Sequence, residues 1–395
     1  MTKDVFSSRL KEKLFQPMNM IKKTTPLLVC LLVIYCASKD HSMTSRPYLS
    51  QVTENSIVVS WQTTVPVPSV IEYGETETCG LTIKDDVRTR FHRIKIMGLK
   101  SSREYHYRIP SKGKTEQYQF RTAVKSGEDF SFAVYGDTRP NDEYHVNVLR
   151  QILKTHPLFI INTGDLTQGD KETDWYDYFS AICDKTNTGE TIPLYSTPGN
   201  HEGKEQGNDS LYYKYLSLPV NSFDWSEAYY SFNIGDAHFV ALNSYLSFDP
   251  ASPQYEWFAE DLRKSSSYKW KIVFIHEPFY SSGKNGSNIH QRRVLSPLFE
   301  KGGVALVFTG HDHLYERTES IKGVTYIVTG GGGAPLYDAT KSEWTARIDK
   351  SHHFCKVRIV GNKCEVTMIR SDGTIGDRLI LTKSRDTFAQ DRSAK

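Results

Sequence analysis

The chain lacks the features that would assign it quickly to several large classes of protein. Its formal charge is only +3 at pH 7, from 49 Lys and Arg against 46 Asp and Glu. Such a balance gives no argument for nucleic acid or an anionic membrane as a partner. No uninterrupted apolar run reaches the roughly 20 residues that a comfortable membrane span needs. The chain also shows no internal repeat and no low-complexity stretch.

Cysteine is scarce, with 6 residues in 395. No two cysteines have the spacing of a thiolate metal site, so any metal must be bound by other side chains. Cys355 and Cys364 flank a predicted hairpin turn at Gly361-Asn362. With a two-residue loop, Cys364 faces Ile359 and not Cys355, so we expect buried free thiols here rather than a direct cross-strand disulfide.

The N-terminal residues resemble a targeting segment. Lys22 and Lys23 precede an apolar run over residues 27–37, which has the length of a secretory h-region. We therefore predict a leader over residues 1–42 and a secreted or periplasmic protein. The alternatives are a segment that stays attached as a membrane anchor and a lipid-modified Cys36.

Residues 43–125 have the pattern of short β-strands separated by turn residues. The segment Ser56–Trp61 alternates around a large aromatic residue, and Arg93–Met97 alternates strictly. Many short strands with turns between them predict an all-β sandwich. The segment contains no cluster of His, Asp or Cys, so we assign it no catalysis.

From Asp129 to about residue 385 apolar strands alternate with helical patterns, and we treat residues 386–395 as a tail. Phe130–Tyr135 is an apolar strand, residues 144–155 have helical spacing, and Leu158–Asn162 is a second strand. This is a β-α-β unit with an acidic residue after each strand, where ligand sites of α/β sheets form. The second domain is therefore predicted as α/β.

Six side chains that can bind metal occur in short clusters, most of which follow apolar strand-like runs. They are Asp137, Asp165, Asn200, His276, His311 and His313. Each cluster alone is an ordinary turn or a buried polar group, but all of them in this order predict a two-metal centre. Carboxylate, amide and imidazole suit Zn, Mn or Fe and argue against a soft copper site. Such a pair of cations orients a phosphate ester, neutralises its charge and makes hydroxide from bound water.

The same motifs resemble those of the calcineurin-like metallophosphoesterases, and most closely the purple acid phosphatase-like branch. The resemblance depends on Gly136-Asp137, Gly164-Asp165, Gly199–Glu202, Val273–His276 and Gly310–Arg317. The N-terminal sandwich resembles a fibronectin type III domain and the domain that precedes the catalytic domain in plant-type purple acid phosphatases. Together the two resemblances cover nearly all of the chain after the leader. The resemblance to the metallophosphoesterases implies that the second domain consists of two packed mixed sheets flanked by helices.

The resemblance implies a role for each ligand. Asp165 bridges the metals. The first metal takes Asp137 and His313, and the second takes the ligands Asn200, His276 and His311. His201 lies near the leaving-group oxygen as a phosphate-orienting residue or general acid.

The chain departs from the family pattern at two positions. In purple acid phosphatases a tyrosine three residues after the bridging Asp ligates ferric iron and gives the colour, whereas this chain has Gln168. We therefore expect a divalent first metal and a colourless protein. Many other family members have a ligating His where this chain has Arg139. A guanidinium stays protonated and cannot be an ordinary ligand, so Arg139 is a candidate phosphate clamp, with a structural ion pair as the alternative.

Two further histidines and a glycine run are candidates for the pocket. His145 lies on the first predicted helix, and His290 lies in a predicted loop where related phosphatases place substrate-contacting histidines. For each of the two, the alternative is a packing or surface histidine. The run Gly330–Pro335 follows a strand without the Gly-Lys-Ser/Thr of a phosphate loop. In the family that this chain resembles such a run lies close to the metal centre, so the resemblance implies close backbone approach there.

The sequence and the resemblance thus predict an exported hydrolase of small-molecule phosphate esters, an acid phosphatase-like phosphomonoesterase with two metal ions and metal-bound hydroxide as the nucleophile. Three alternatives remain open: a phosphodiesterase or nucleotide hydrolase on the same centre, a phosphoprotein phosphatase, and an adhesion or carbohydrate-binding protein. The sequence shows neither the oligomeric state nor the identity of the metals.

Overall fold

Five strands make up the N-terminal part of the chain. The computed structural model describes residues 43–110, 115–139, 142–203, 210–224, 226–384 and 387–390. The predicted leader, residues 1–42, lies outside them. The five strands are β1 (Met43–Ser50), β2 (Ser56–Gly74), β3 (Leu81–Met97), β4 (Glu104–Arg108) and β5 (Gln117–Arg121).

The long strands β2 and β3 connect two groups of strands in this part. The first half of β2 pairs with β1 and with the end of β3, whereas its second half pairs with β4 and with the start of β3. Ile94 and Ile96 are buried and alternate with exposed residues, as a strand with one face in a core requires. This arrangement is consistent with the expected sandwich. Its fibronectin type III identity stays a prediction.

From Phe130 onward strands alternate with helices. The strands are β6 (Phe130–Tyr135), β7 (Ile160–Asn162), β8 (Leu194–Ser196), β9 (Tyr230–Ile234), β10 (Ala237–Ala241), β11 (Trp270–Phe274), β12 (Leu306–Thr309), β13 (Tyr315–Thr318), β14 (Thr325–Thr329), β15 (Thr345–Asp349), β16 (His353–Val360), β17 (Lys363–Arg370), β18 (Ile375–Ser384) and β19 (Thr387–Gln390). The helices are α1 (Asp142–Lys154), α2 (Glu172–Phe179), α3 (Asn200–Gly203), α4 (Leu211–Tyr215), α5 (Pro253–Lys264) and α6 (Ile289–Gly302), with a π-helical turn at Ser180–Asp184.

The strands form two mixed sheets, as the sequence predicted. One sheet has the order β19-β18-β17-β16-β6-β7-β8-β1-β2-β4-β5, with β3 beside β2, and the other has the order β15-β13-β14-β12-β11-β10-β9. Strands β6, β7 and β8 are parallel neighbours in the first sheet. Strands β10, β11, β12 and β14 are parallel neighbours in the second. Each sheet therefore has one edge where several parallel strands end together.

The two sheets pack face to face through aromatic side chains. Phe132 of β6 meets Phe239 of β10 edge-on, with ring centroids 5.1 Å apart, and it stacks on Phe159 at 5.0 Å. Strand β11 shows why its last three residues, Ile272–Phe274, are a continuous apolar run. Ile272 and Phe274 face the core between the sheets, whereas Val273 belongs to the second core, which includes side chains of α5 and α6.

The structure refines the expected domain boundaries. Ser50 of β1 pairs in parallel with Leu194 of β8, so the N-terminal strands continue the sheet of the second domain. Strand β19 lies in the predicted tail and pairs with β18. The predicted division into domains at about residue 125 stays a prediction.

Three smaller expectations concern cysteine and the membrane. Cys364 pairs with Ile359 across the β16–β17 hairpin, as the two-residue loop predicted. Cys79, Cys183, Cys355 and Cys364 are buried free thiols. In the described part of the chain, every helix is too short or too polar to cross a membrane.

Candidate metal centre

The predicted ligands follow the ends of five parallel strands and meet where the two sheets face each other. In the first sheet Asp137, Asp165 and Asn200 follow β6, β7 and β8. In the second sheet His276 follows β11, and His311 and His313 follow β12. The polar clusters are therefore brought together because their strands are neighbours within each sheet.

Three of the ligand positions have an uncommon backbone conformation. Asp137, Asp165 and His311 have φ angles of 57°, 55° and 68°, in the left-handed region that residues with a Cβ rarely adopt. Backbone strain of this kind costs about 1–3 kcal/mol per residue and is concentrated at functional sites. The chain thus turns sharply at each strand end and directs the side chain into the cleft.

Gly164 shows how closely the backbones approach here. Its φ is +101°, and a Cβ at this position would lie 2.6 Å from His276 Nδ1 and 2.8 Å from the Gly199 nitrogen. A side chain at residue 164 would therefore clash with His276, which follows a strand of the second sheet, and with the backbone of Gly199, which follows a strand of the first sheet. The run Gly330–Pro335 makes the close approach that the sequence predicted, since a Cβ on Gly330 would lie 2.8 Å from Asp137 Oδ2.

One group of donor atoms surrounds Asn200. Its Oδ1 lies 3.2 Å from His276 Nε2 and 3.0 Å from His311 Nδ1. His276 Nε2 is also 3.5 Å from Asp165 Oδ1. These four side chains are the second group of ligands. They are the three residues that the resemblance assigns to the second metal, together with the proposed bridge, Asp165.

The tautomer of His276 shows that this group fits a cation. Its Nδ1 lies 2.8 Å from the Thr163 carbonyl oxygen and must donate to it, which leaves a lone pair on Nε2. Burial lowers the pKa of His276 to about 4, so the ring is neutral near pH 7. The Nε2 lone pair then faces the oxygens of Asn200 and Asp165, and three acceptors converge without a proton between them. A metal ion resolves this arrangement, and the carbonyl partner is the kind that orients metal-binding histidines.

The first group of ligands, named for the first metal, contains Asp137, Asp165 and His313. His313 Nε2 is 3.5 Å from Asp137 Oδ1, and its Nδ1 donates to the Pro335 carbonyl oxygen at 2.7 Å. One ligand atom from each of Asp137, Asp165 and His276 lies within 4.8 Å of the others, so the two groups are adjacent. Asp165 is the residue that both groups share.

The two carboxyl groups are fully buried and influence each other. Burial raises the pKa of Asp137 well above its usual range, and the charge of Asp165 raises it further. Burial also opposes ionisation of Asp165, but favourable electrostatic interactions with the surrounding side chains, including the charge of Arg139, outweigh it and lower the pKa of Asp165. The two buried carboxylates have ligand atoms within 4.8 Å of each other. They therefore need positive charge nearby, which a divalent cation supplies.

Arg139 lies within the first group of ligands. Its Nη2 is 3.1 Å from Asp165 Oδ2 and 2.9 Å from His313 Nε2. The side chain is 16% exposed, and its buried Nε has no partner in the described part of the chain. Arg139 thus makes an ion pair with Asp165 in this structure, and its role as a phosphate clamp stays a prediction.

His201 points towards the same carboxylate from the other side. Its backbone nitrogen donates to Asp165 Oδ1 at 3.1 Å, and its Nε2 is 3.7 Å from Asp165 Oδ2. Its Nδ1 hydrogen-bonds the Gln168 carbonyl oxygen. The side chain of Gln168 is exposed, and it is the backbone carbonyl of this residue that orients the His201 ring.

The two other candidate histidines lie in different surroundings. His145 is buried, hydrogen-bonds the Tyr135 hydroxyl at 3.1 Å and lines a small pocket together with Arg139 and Gln168. His290 lies in the first turn of α6, is 52% exposed and pairs with Asp249 at 3.3 Å. The structure corrects the expected loop position of His290, because the helix begins at Ile289 and turns its side chain towards a surface carboxylate.

Two acidic residues that the sequence analysis did not single out organise the centre. Glu202 accepts hydrogen bonds from the backbone nitrogens of Asp165, Thr167 and Gly199 at 2.8–3.0 Å. Asp312 accepts from the backbone nitrogens of Asn285 and Gly286 at 2.8 and 3.2 Å. Glu202 and Asp312 both lie inside sequence motifs that contain predicted ligands. Their position next to a ligand was the signal that could have identified them.

One aromatic residue also escaped the sequence analysis. The ring of Tyr337 stacks on His313 with centroids 4.1 Å apart, and its backbone nitrogen donates to the His313 carbonyl oxygen at 2.9 Å. Lys284 Nζ lies 5.1 Å from the centroid of the same ring, on the loop that Asp312 holds. No sequence spacing connects residue 337 with residue 313, so only the folded chain shows this contact.

Comparison with known proteins shows what this chain is similar to. The family model for calcineurin-like phosphoesterase matches residues 130–315. Purple acid phosphatase 21 of Arabidopsis thaliana is 33% identical over 261 residues, covering 62% of this chain and 58% of the relative. Probable purple acid phosphatase 20 of the same plant is 26% identical over 333 residues, covering 76% of this chain and 77% of the relative. This chain thus spans less than two thirds of the first relative's length.

Among solved structures, a purple acid phosphatase from yellow lupin seeds has the same fold. Its TM-score is 0.74 at 21% sequence identity, over 86% of this chain and 74% of the lupin chain. The two packed mixed sheets and their helices are therefore a metallophosphoesterase fold. The match and the relatives together place the predicted ligands in a calcineurin-like phosphoesterase domain similar to that of purple acid phosphatases.

Proposed function

We propose that this chain, which carries a calcineurin-like phosphoesterase domain, is a dinuclear-metal hydrolase of phosphate monoesters. The observation that supports this most directly is the convergence of six donor side chains on a cleft with Asp165 at its centre. We assign Asp165 as the bridge, Asp137 and His313 to the first metal, and Asn200, His276 and His311 to the second.

The chemistry of the donor set defines what the centre supplies when it is loaded. Two divalent cations neutralise the phosphate charge and make bound water a nucleophile near neutral pH. Carboxylate, amide and imidazole donors are compatible with Fe, Zn and Mn. A relative from Arabidopsis thaliana, 26% identical over 317 residues, is named Fe(3+)-Zn(2+) purple acid phosphatase 12.

His201 is the residue we assign to the leaving group. The Gln168 carbonyl oxygen accepts from Nδ1, which directs Nε2 towards the carboxylate cluster. In the reaction the oxygen of water forms a bond to phosphorus and that water loses a proton to solvent, while the ester P–O bond breaks. His201 then gives a proton from Nε2 to the departing oxygen, which is general acid catalysis.

The substrate class proposed is a small-molecule phosphomonoester. One relative, from Allium cepa and 26% identical over 315 residues, is named phosphoenolpyruvate phosphatase. That name supports a small monoester as substrate here and does not specify which one. The cleft is built on both sheets of one domain, so catalysis needs no ligand from the N-terminal strands.

The test combines metal analysis with a substrate panel. Protein stripped with a chelator and reconstituted with Zn²⁺, Mn²⁺ or Fe²⁺ is assayed with 4-nitrophenyl phosphate and bis(4-nitrophenyl) phosphate. We expect metal-dependent hydrolysis with a higher kcat/KM for the monoester, and loss of activity in Asn200→Ala. A higher kcat/KM for the diester would favour the phosphodiesterase alternative, and full activity in Asn200→Ala would contradict the metal mechanism.

We further propose that the first site holds a divalent metal and that the protein is colourless. The position three residues after Asp165 is Gln168, whose side chain is exposed and offers no phenolate. An absorption spectrum of the iron-loaded protein tests this, because a visible charge-transfer band would contradict it.

Finally, we propose that residues 1–42 direct export and that the N-terminal strands form a fibronectin type III-like domain. The support is the h-region over residues 27–37 and the strand pattern after it. N-terminal sequencing of the protein recovered from the outside of the cell tests the leader, since a retained N-terminus would argue for an anchor.

A further inference from the structure

Arg139 uses atoms that the first metal also needs. Its Nη2 donates to His313 Nε2 at 2.9 Å and lies 3.1 Å from Asp165 Oδ2. The Nδ1 proton of His313 is already given to the Pro335 carbonyl oxygen at 2.7 Å, so Nε2 has one lone pair to offer. That lone pair can accept an N–H from Arg139 or bind a metal, and it cannot do both.

The two groups of ligands also differ in their number of donor side chains. The second group has four donors, from Asp165, Asn200, His276 and His311, which contact one another. The first has three, from Asp137, Asp165 and His313, because Gln168 contributes only a carbonyl oxygen to His201. Fewer donors and a resident positive charge both weaken the binding of a cation at the first group.

We propose that Arg139 is an internal competitor of the first metal, so that the two sites bind metal with unequal affinity and fill in order. The second group binds its metal tightly, and the first group binds only when the metal displaces the guanidinium from His313. The displaced guanidinium then lies beside the cleft, where it is positioned to contact the phosphate of the substrate. This inference rests on the dinuclear centre of the proposed function.

The backbone at Arg139 is consistent with a residue held in place by its contacts. Its φ is +33°, outside the conformations that non-glycine residues usually adopt. The surrounding contacts offset the cost of this conformation, and the buried Nε adds a donor that the described residues leave unpaired. A ligand oxygen within reach of Nε would satisfy that donor.

The experiment measures metal affinity and not catalysis. Chelator-treated protein is titrated with Zn²⁺ in competition with a chromophoric chelator, in the wild type, Arg139→Leu and Arg139→Lys. Leucine removes the charge without adding a ligand, whereas lysine keeps the charge on a shorter donor. We expect two unequal sites in the wild type, and a gain of about 10- to 100-fold at the weaker site in Arg139→Leu, from the size of a charge-assisted hydrogen bond.

Arg317→Leu is the matched control. Arg317 is 12% exposed and pairs with Asp377 at 2.6 Å, so it is an equally buried arginine–carboxylate pair. Its loss should leave both Zn²⁺ affinities unchanged.

Thermal unfolding supplies a second readout. In Arg139→Leu the carboxyl groups of Asp137 and Asp165 lose a compensating charge, so the chelator-treated protein should unfold at a lower temperature and recover in excess Zn²⁺. Equal affinities at the two wild-type sites, or a folded Arg139→Leu with unchanged Zn²⁺ binding and unfolding temperature, would overturn the inference and leave the dinuclear hydrolase standing. Absence of Zn²⁺ binding in the wild type would overturn both.

Discussion

Buried histidines in two regions of the molecule have opposite surroundings. In the N-terminal strands, His92 is 2% exposed and stacks on Trp61 with centroids 4.7 Å apart. Its two ring nitrogens lie 2.9 Å from the hydroxyl groups of Thr63 and Ser69. In the cleft, His276 has Nδ1 on a backbone carbonyl and Nε2 among carboxylate and amide oxygens.

This difference shows how a structural buried histidine can be distinguished from a metal-binding one. A hydroxyl can donate or accept, so it completes a neutral imidazole whichever nitrogen carries the proton. A carboxylate cannot donate, so a ring nitrogen that faces carboxylates needs a proton or a metal. Burial lowers the pKa of His92 and of His276 to about 4 alike, and the partner atoms, not burial, therefore distinguish a structural histidine from a metal ligand.

The largest effect should come from a cleft histidine. His311→Ala removes a ligand from the second group, whose donor Nδ1 lies 3.0 Å from Asn200 Oδ1. We expect kcat/KM for 4-nitrophenyl phosphate to fall on the order of 10³-fold or more, since metal charge stabilisation contributes several kcal/mol. His92→Gln is the comparison, and it should retain kcat/KM for the folded fraction. Equal losses in the two variants would remove the distinction between the regions.

A smaller effect is expected at His201, which touches the site without being assigned as a ligand. His201→Asn removes the group that gives a proton to the leaving oxygen, and we expect kcat to fall about 10²- to 10⁴-fold. Elemental analysis should find the same metal content as in the wild type. With a leaving group that needs no proton, such as 4-nitrophenolate, the loss should be smaller than with an alkyl phosphate. An equal loss on both substrates, or loss of metal, would contradict the role of general acid.

In the N-terminal strands the expected effect is on stability. His92→Gln breaks the pairing with Thr63 and Ser69 and the stacking on Trp61. We expect the free energy of unfolding to fall by about 1–3 kcal/mol, the range for leaving buried polar groups unpaired. Urea unfolding followed by tryptophan fluorescence measures it, and an unchanged unfolding midpoint would show that His92 is not structural.

The smallest effect concerns pH. His92 and His353 have pKa values lowered to about 4 by burial, below the ordinary value of 6.5. Between these values the unfolded chain binds more protons than the folded one, so stability falls as pH drops from 6.5 towards 4. Each histidine contributes up to roughly 1.4 kcal/mol per pH unit. His92→Gln should flatten the stability profile over this range, and an unchanged slope would contradict the account.

Much of the site was predictable because each ligand follows an apolar strand. Asp137, Asp165 and His276 stand just after strands whose residues are nearly all buried, and a sequence records that pattern directly. The two mixed sheets and the metallophosphoesterase fold were predicted from the resemblance of these motifs to the calcineurin-like metallophosphoesterases. The joining of β1 to β8 was not predictable, because a single parallel pair between Ser50 and Leu194 has no local signal.

Contacts between side chains that are far apart in the sequence could not be predicted from the sequence. The ion pair of Arg139 with Asp165 joins a loop after β6 to a loop after β7, and its contact with His313 crosses to the other sheet. His290 was expected in a loop, but Asn288 caps α6 by accepting from the Gln291 nitrogen at 2.9 Å, and the helix carries His290 to the surface. Capping shifts an element boundary by a few residues, which is enough to redirect a side chain.

The most direct test of the central claim is anomalous diffraction from crystals soaked in Zn²⁺ or Mn²⁺. The account predicts two anomalous peaks joined by the Asp165 carboxylate, one beside Asp137 and His313 and the other beside Asn200, His276 and His311. It also predicts that the peak beside Asp137 and His313 is lost first as the metal concentration is lowered. Peaks elsewhere on the molecule, or no peak at Asp165 in crystals of active protein, would contradict a dinuclear centre built from these six residues.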